Sequence, residues 1–139
     1  ALVKHAHHDF DIDQPGKDSH RHRMAGATEV LVTSAVRWAL MHELRGAPEM
    51  TLADAIERLS PCDLVLVEGF KSAPLPKLEV HRPSLRRPLL YPDDPHILAL
   101  ATDEPAAFAG APIVVHDLEA VDALATLVAA RAWPMPRRV

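Results

Sequence analysis

Four consecutive apolar residues, Leu64-Val-Leu-Val67, stand between Asp63 and Glu68-Gly69. A short run that is apolar at every position, not every second one, has the pattern of a strand covered on both faces. Parallel sheets with helices on each side produce such strands. The run therefore predicts a parallel α/β sheet with Leu64–Val67 near its centre. Ala1–Lys4, Glu29–Ser34, Ile97–Ala101 and Ile113–Val115 are further strand candidates, and Glu29–Ser34 is expected to be buried. Arg37–Glu43 is a further strand or a continuation of the one before it. Helical signals fall between the strands. Lys17–Met24 has Asp18 or Ser19 as its N-cap and is closed by Gly26. Thr51–Leu59 is capped by Thr51. A last helix opens at Asp117, with Leu118, Val121, Leu124, Ala125 and Val128 as its apolar stripe. Six of the 13 prolines lie between Pro74 and Pro95, which excludes a long helix or a central strand there. Leu78–His81 is consequently expected at a sheet edge. The alternation gives an α/β fold with mostly parallel strands and flanking helices, in one domain spanning 1–139. The first residues, Ala1-Leu-Val, read as a sequence entered partway through a sheet.

Composition excludes several functions. With 15 basic and 19 acidic residues the net charge is -4, so nucleic acid is not expected as a partner. The single cysteine, Cys62, rules out an internal disulfide and suits a reducing, cytoplasmic compartment. No eighteen-residue apolar run exists, so no membrane span is expected.

The densest chemistry lies after the first strand. Lys4-His-Ala-His-His-Asp-Phe-Asp-Ile-Asp13 holds one lysine, His5, His7 and His8, and Asp9, Asp11 and Asp13 within ten residues. Folding alone does not ask for this. Lysine meets phosphate oxygens, carboxylates hold a hard cation such as Mg²⁺, and histidine serves acid–base or metal chemistry. In parallel sheets ligands sit beyond the carboxyl ends of the strands. Three such ends carry polar residues: Lys4-His5, Glu68-Gly69 and Thr102-Asp103. Parallel strands would gather Lys4, Asp9, Glu68 and Asp103 on one rim. A carboxylate directly after an apolar strand, as at Glu68, is a usual Mg²⁺ ligand position in phosphate-handling proteins, and Gly69 lets backbone approach a ligand.

Two tempting motifs fail. Gln14-Pro-Gly-Lys-Asp-Ser19 is not a G-x-x-x-x-G-K-[ST] phosphate loop, because Asp11 stands at the first glycine and Asp18 at the hydroxyl position. Lys17 stays a candidate for the site. His5-Ala-His7-His-Asp9 matches H-x-H-x-D, but Phe10 stands where a metallohydrolase of that pattern needs another histidine. No stoichiometric Zn²⁺ is expected. A His/Asp metal-site hydrolase or metal-handling protein, and an interaction module without nucleotide binding, stay open as alternatives.

Lys4 to Ser19, Ala25-Gly-Ala27, Arg37-Trp-Ala-Leu-Met41 and Asp63-Leu-Val-Leu-Val-Glu-Gly-Phe-Lys71 together resemble the molybdopterin-guanine dinucleotide biosynthesis protein B family (MobB). The resemblance covers residues 1–71 in order and spacing. It implies a P-loop GTP-binding fold, a homodimer, and at most weak GTP hydrolysis. It also implies an accessory role beside the nucleotidyltransferase MobA, which adds a guanine nucleotide to molybdopterin. By the same resemblance GTP and Mg²⁺ are the cofactors, with Lys4 near phosphate and His5, Lys17, Gly69 and Thr102 as further cofactor-binding candidates. Asp9 or Asp11, with Glu68, falls near Mg²⁺, and Asp103 near the base, where one carboxylate can accept from both guanine N1–H and the 2-amino group. Family members carry a strand, phosphate loop and helix ahead of the Lys4 strand. Those parts are not in residues 1–139, so these residues alone are expected to bind GTP poorly.

Overall fold

A computed structural model describes residues 1–6 and 10–134. They fall into two compact units, Ala1–Phe70 and Lys71–Val139. The elements run β1 (Leu2–Lys4), α1 (Asp18–Met24), β2 (Glu29–Thr33), β3 (Trp38–His42) and α2 (Leu52–Glu57). They continue with β4 (Leu66–Glu68), β5 (Lys77–His81), β6 (Ile97–Thr102), β7 (Val114–Asp117) and α3 (Val121–Arg131). The result is the expected α/β fold with mostly parallel strands and flanking helices.

In the first unit β1 pairs with β4 in parallel, with Leu2 opposite Leu66, Val3 opposite Val67 and Lys4 opposite Glu68. This corrects the expectation that Leu64–Val67 lies at the centre of a sheet. The strand begins only at Leu66, and among the described residues β1 is its one neighbour. An apolar run shows that a segment seeks cover; it does not count the strands beside it. β2 and β3 form an antiparallel hairpin with Glu29 opposite His42 and Thr33 opposite Trp38. Ser34 closes its turn: the Ser34 hydroxyl accepts from the amides of Val36 and Arg37 and donates to the Arg37 carbonyl. The expected burial of Glu29–Ser34 is also overturned, since Leu31 is 61% and Val32 45% exposed. A two-stranded ribbon has two faces, and nothing described covers them both.

Helix ends followed local chemistry in part. Gly26, at φ 114°, ends α1. The amides of Gly26 and Ala27 donate to the carbonyls of Arg23 and His22 in a Schellman closure. Its N-cap is Lys17, without a side-chain bond; Asp18 and Ser19 do not cap it, because the Ser19 hydroxyl donates to Asp13 Oδ1 at 2.8 Å instead. Thr51 caps α2 as expected, in a reciprocal box with Asp54. Accepting from the Thr51 hydroxyl and amide holds the Asp54 carboxyl below its ordinary range. Asp117 does not cap α3. Its carboxylate accepts from Glu119 N at 2.9 Å in a turn, Leu118 lies outside the helix, and Ala120 is the N-cap. The half-buried stripe of α3 is Leu124, Leu127 and Val128.

The second unit holds a parallel sheet in the order β5-β6-β7. β6 is its centre, and Ala99, Leu100, Ala101 and Thr102 are fully buried there. β5 is an edge strand, as the prolines required. Its inward positions are unexpectedly polar: Glu79 and His81 are both buried. The two Glu79 oxygens accept from the amides of Leu90 and Tyr91, each at 2.8 Å. The buried carboxylate thereby ties the end of the proline-rich loop back to β5. Lys77 Nζ reaches Asp94 Oδ2 at 2.6 Å further along the same loop, and this ion pair lowers the Asp94 pKa. His81 lies edge-on to Phe108, ring centroids 5.7 Å apart. Glu79→Ala would leave the amides of Leu90 and Tyr91 without their carboxylate acceptor and remove two charge-assisted bonds. At about 1.5–3 kcal/mol each, a loss of about 3 kcal/mol or more is expected in denaturant unfolding. A loss under about 1 kcal/mol would show that water replaces the carboxylate.

Candidate functional site at the β1 and β4 ends

The parallel register of β1 and β4 brings Lys4 and Glu68 to the same carboxyl end, with Lys4 Nζ 2.8 Å from Glu68 Oε1. Each side chain is more than half exposed, so the pair adds little stability, about 0–1 kcal/mol. What matters is the placement of one cation and one anion, side by side, at a strand-end rim.

His5 continues the ladder by donating its amide to the Glu68 carbonyl at 2.8 Å. Its ring Nε2 lies 2.7 Å from Glu49 Oε1, and its ring centroid lies 5.0 Å from that of Phe70. The chain turns sharply here, with φ 83° at Gly69 and 47° at Phe70. A β-carbon at Gly69 would stand 2.8 Å from His5 Cβ and 3.0 Å from the His5 carbonyl oxygen. Glycine is thus needed twice over, for the left-handed backbone and for the close crossing of β1. Gly26 has a similar φ with open space around it. Gly69→Ala is therefore expected to destabilise clearly more than Gly26→Ala, whose strain is on the order of 1–3 kcal/mol. Thermal unfolding of the two variants checks this, and equal losses would show that the His5 crossing yields freely.

The acidic loop beyond β1 is organised by Arg23 of α1. Its guanidinium meets Asp11 Oδ2 at 2.5 Å, Glu43 Oε1 at 3.0 Å and Asp13 Oδ2 at 3.5 Å. Arg23 and Asp13 are nearly buried, and Asp13 Oδ1 also accepts from Ser19 Oγ and the Gln14 amide. Within that pair, Asp13 Oδ2 and Arg23 Nε have no hydrogen-bond partner. The bond from Arg23, helped by the Asp13 amide, holds the Asp11 carboxyl below its ordinary range; the carboxylates in turn raise the Arg23 pKa. Arg45 ties the hub down by donating to the carbonyls of Arg23 and Ala27. A lowered carboxyl pKa means that the Asp11–Arg23 contact is complete above the ordinary aspartate pKa and fades as pH falls through the lowered value. An NMR titration should find Asp11 protonating below the ordinary aspartate range, with its midpoint moving upward in Arg23→Gln. An unchanged midpoint would remove Arg23 as the cause.

Lys4, His5, Glu68 and Gly69 are therefore brought together. Asp11 sits on Arg23, and Lys17 is an exposed residue at the head of α1. Asp9, with His7 and His8, lies outside the described residues. Thr102 and Asp103 end β6 in the second unit, where the buried Thr102 hydroxyl accepts from Glu104 N at 3.3 Å and Asp103 is exposed. Among the described residues no group of three or more His, Cys, Asp or Glu forms a metal site. Sequence reasoning missed Arg23, Glu43 and Glu49, which carry no local signal. It also missed Glu79 and His81, which were signalled by polar residues at alternate positions of a strand.

An α/β chain with mostly parallel strands and a Lys–Glu pair at adjacent strand ends has the architecture of a P-loop NTPase-like domain. Residues 1–103 match the family model MobB, molybdopterin guanine dinucleotide synthesis protein B, and the chain belongs to that family. It is 41% identical over 121 residues to the molybdopterin-guanine dinucleotide biosynthesis adapter protein of Escherichia coli (strain K12), covering 85% of this chain and 69% of that protein. It is also 41% identical over 106 residues to the adapter protein of the same name from Haemophilus influenzae, covering 76% of this chain and 58% of that protein. No described helix is long and apolar enough to cross a membrane.

Proposed function

We propose that the protein is a GTP-binding adapter of molybdopterin guanine dinucleotide synthesis, acting beside the nucleotidyltransferase MobA. The observation that carries this reading is the Lys4–Glu68 pair, 2.8 Å apart at two parallel strand ends. A phosphate–Mg²⁺ unit presents the complementary charges. Lys4 would leave Glu68 for a phosphate oxygen, and Glu68 would turn to the cation. Glu68 fits Mg²⁺ chemically, since Mg²⁺ takes one or two carboxylates and fills its remaining positions with water and phosphate. Asp11 would have to give up Arg23 to reach the same ion, so Glu68 is the stronger candidate of the two. Gly69 and the His5 amide fix the strand end on which both charged groups stand.

A homodimer is part of the reading. Among the described residues of the first unit none is buried, and the hairpin displays Leu31, Trp38 and Leu40. An isolated hairpin is marginal in water, and an exposed apolar face of this kind suits a second copy.

Calorimetric titration of GTP into the full-length protein, with and without Mg²⁺, tests the nucleotide site. Binding should require Mg²⁺ and weaken at least about tenfold, or about 1.4 kcal/mol, in Glu68→Gln. Lys4→Ala should weaken it in both conditions. Wild-type affinity in both variants would remove the strand-end pair from the site.

A further inference from the structure

Between β5 and β6 the chain leaves the sheet in a loop that carries Arg82, Arg86 and Arg87 and no acidic residue from Arg82 to Pro92. The protein as a whole has a net charge of -4, so this is a local reversal of sign. All three arginines are exposed. Among the described residues none of them makes an ion pair. Leu85 stands among them, 65% exposed.

The loop is nevertheless held in one shape. It starts at buried His81, and its far end is tied by Glu79 to the amides of Leu90 and Tyr91. A single 3₁₀ turn, Pro83–Leu85, closes with Leu85 N donating to Arg82 O and Arg86 N to Pro83 O, each at 3.0 Å. Arg86 follows in a left-handed conformation, φ 50°. Pro83 and Pro88 remove further backbone freedom. A buried carboxylate thus pins an exposed cationic loop at little entropic cost to any later contact.

Two ligand types suit arginines: a phosphate group and a carboxylate-bearing protein surface. Phosphate loops add backbone amides to the side chains. Here the amides of Leu85 and Arg86 are already bonded within the turn. Exposed Leu85 among the guanidinium groups also has no use toward phosphate. It is the arrangement of a protein contact, where arginine and a buried apolar anchor are enriched at the centre.

We infer that the segment from Arg82 to Arg87 is a docking loop for a partner protein, one that offers an apolar recess for Leu85 rimmed by carboxylates for the arginines. The loop extends the adapter reading by naming the surface through which the protein engages its partner, and it rests on that reading only for the choice of MobA as first probe.

The test uses the full-length protein. Affinity for purified MobA is measured by calorimetry at low and high salt for wild type, Arg86→Glu/Arg87→Glu, Leu85→Ser and, as a charge control, Arg131→Glu. Circular dichroism and thermal unfolding establish that the exposed-loop variants fold. In parallel a photo-crosslinking amino acid at position 85 captures contacts in cells, and captured proteins are identified by mass. The expected result is a loss of at least about tenfold in both loop variants. Binding should also weaken with salt, and the control should be unaffected. If wild type does not bind MobA, but position 85 crosslinks another acidic protein in a manner abolished by Arg86→Glu/Arg87→Glu, the docking loop stands and the MobA reading falls. Loop variants that bind MobA as wild type does would overturn the inference. It also fails if position 85 crosslinks nothing but a second copy of this chain, or nothing at all. So does saturable binding of inorganic phosphate that the arginine reversals abolish while no protein contact is found.

Discussion

Everything at the candidate site depends on the crossing of β1 and β4 at Gly69. The amide of His5 donates to the Glu68 carbonyl, and the missing β-carbon of Gly69 leaves room for the His5 backbone and side chain. This contact fixes the register, and the register sets Lys4 opposite Glu68. A slip of one residue would send one of the two side chains to the other face of the strand pair. The two charges do little for stability where they are, both being exposed. Their value lies in position, which the close approach of Gly69 to His5 and the His5–Phe70 ring contact supply.

The acidic loop shows a second, competing use of charge. Asp11 and Asp13 in close succession suggest a cation, and the cation they meet is the guanidinium of Arg23, which Glu43 reaches from β3's far end. Arginine suits this place because its planar fork can serve several carboxylates at once. The arrangement leaves Asp13 Oδ2 and Arg23 Nε without hydrogen-bond partners, although the two groups face each other as an ion pair. Held this way, the Asp11 carboxyl stays below its ordinary range through the bond from Arg23. Any divalent ion that recruits Asp11 must compete with Arg23, whereas at Glu68 the competitor is an exposed lysine on a flexible stem.

Much of the fold was legible in the sequence because its signals are local. Period and turn chemistry located the strands, Thr51 announced its own helix, and Gly26 its helix end. The prolines put Leu78–His81 at an edge. Strand order was not legible, since an apolar run carries no count of its neighbours; the sheet centre proved to be β6 and not β4. Caps failed where a side chain had a better partner elsewhere, as Ser19 did with Asp13. At the site, Lys4, Glu68 and Gly69 were readable because each sits at a strand end. Arg23, Glu43 and Glu49 were not, because their roles come from contacts far along the chain. Glu79 and His81 could have been suspected, since two polar residues at alternate positions of a strand otherwise taken as packed call for partners.

The two units solve the burial problem differently. In the second, Ala99, Leu100 and Ala101 of β6 are fully covered, and even the polar Glu79 and Thr102 are buried with partners. Such a unit can hold an outward loop rigid, because the groups that fix the loop are themselves protected from water. In the first, the strands are short, the hairpin is open and large apolar side chains face solvent. Area that stays exposed contributes nothing through the hydrophobic effect, so this unit gains most from being covered by something else. A chain built this way has its stable framework in one unit and its unsatisfied surface in the other.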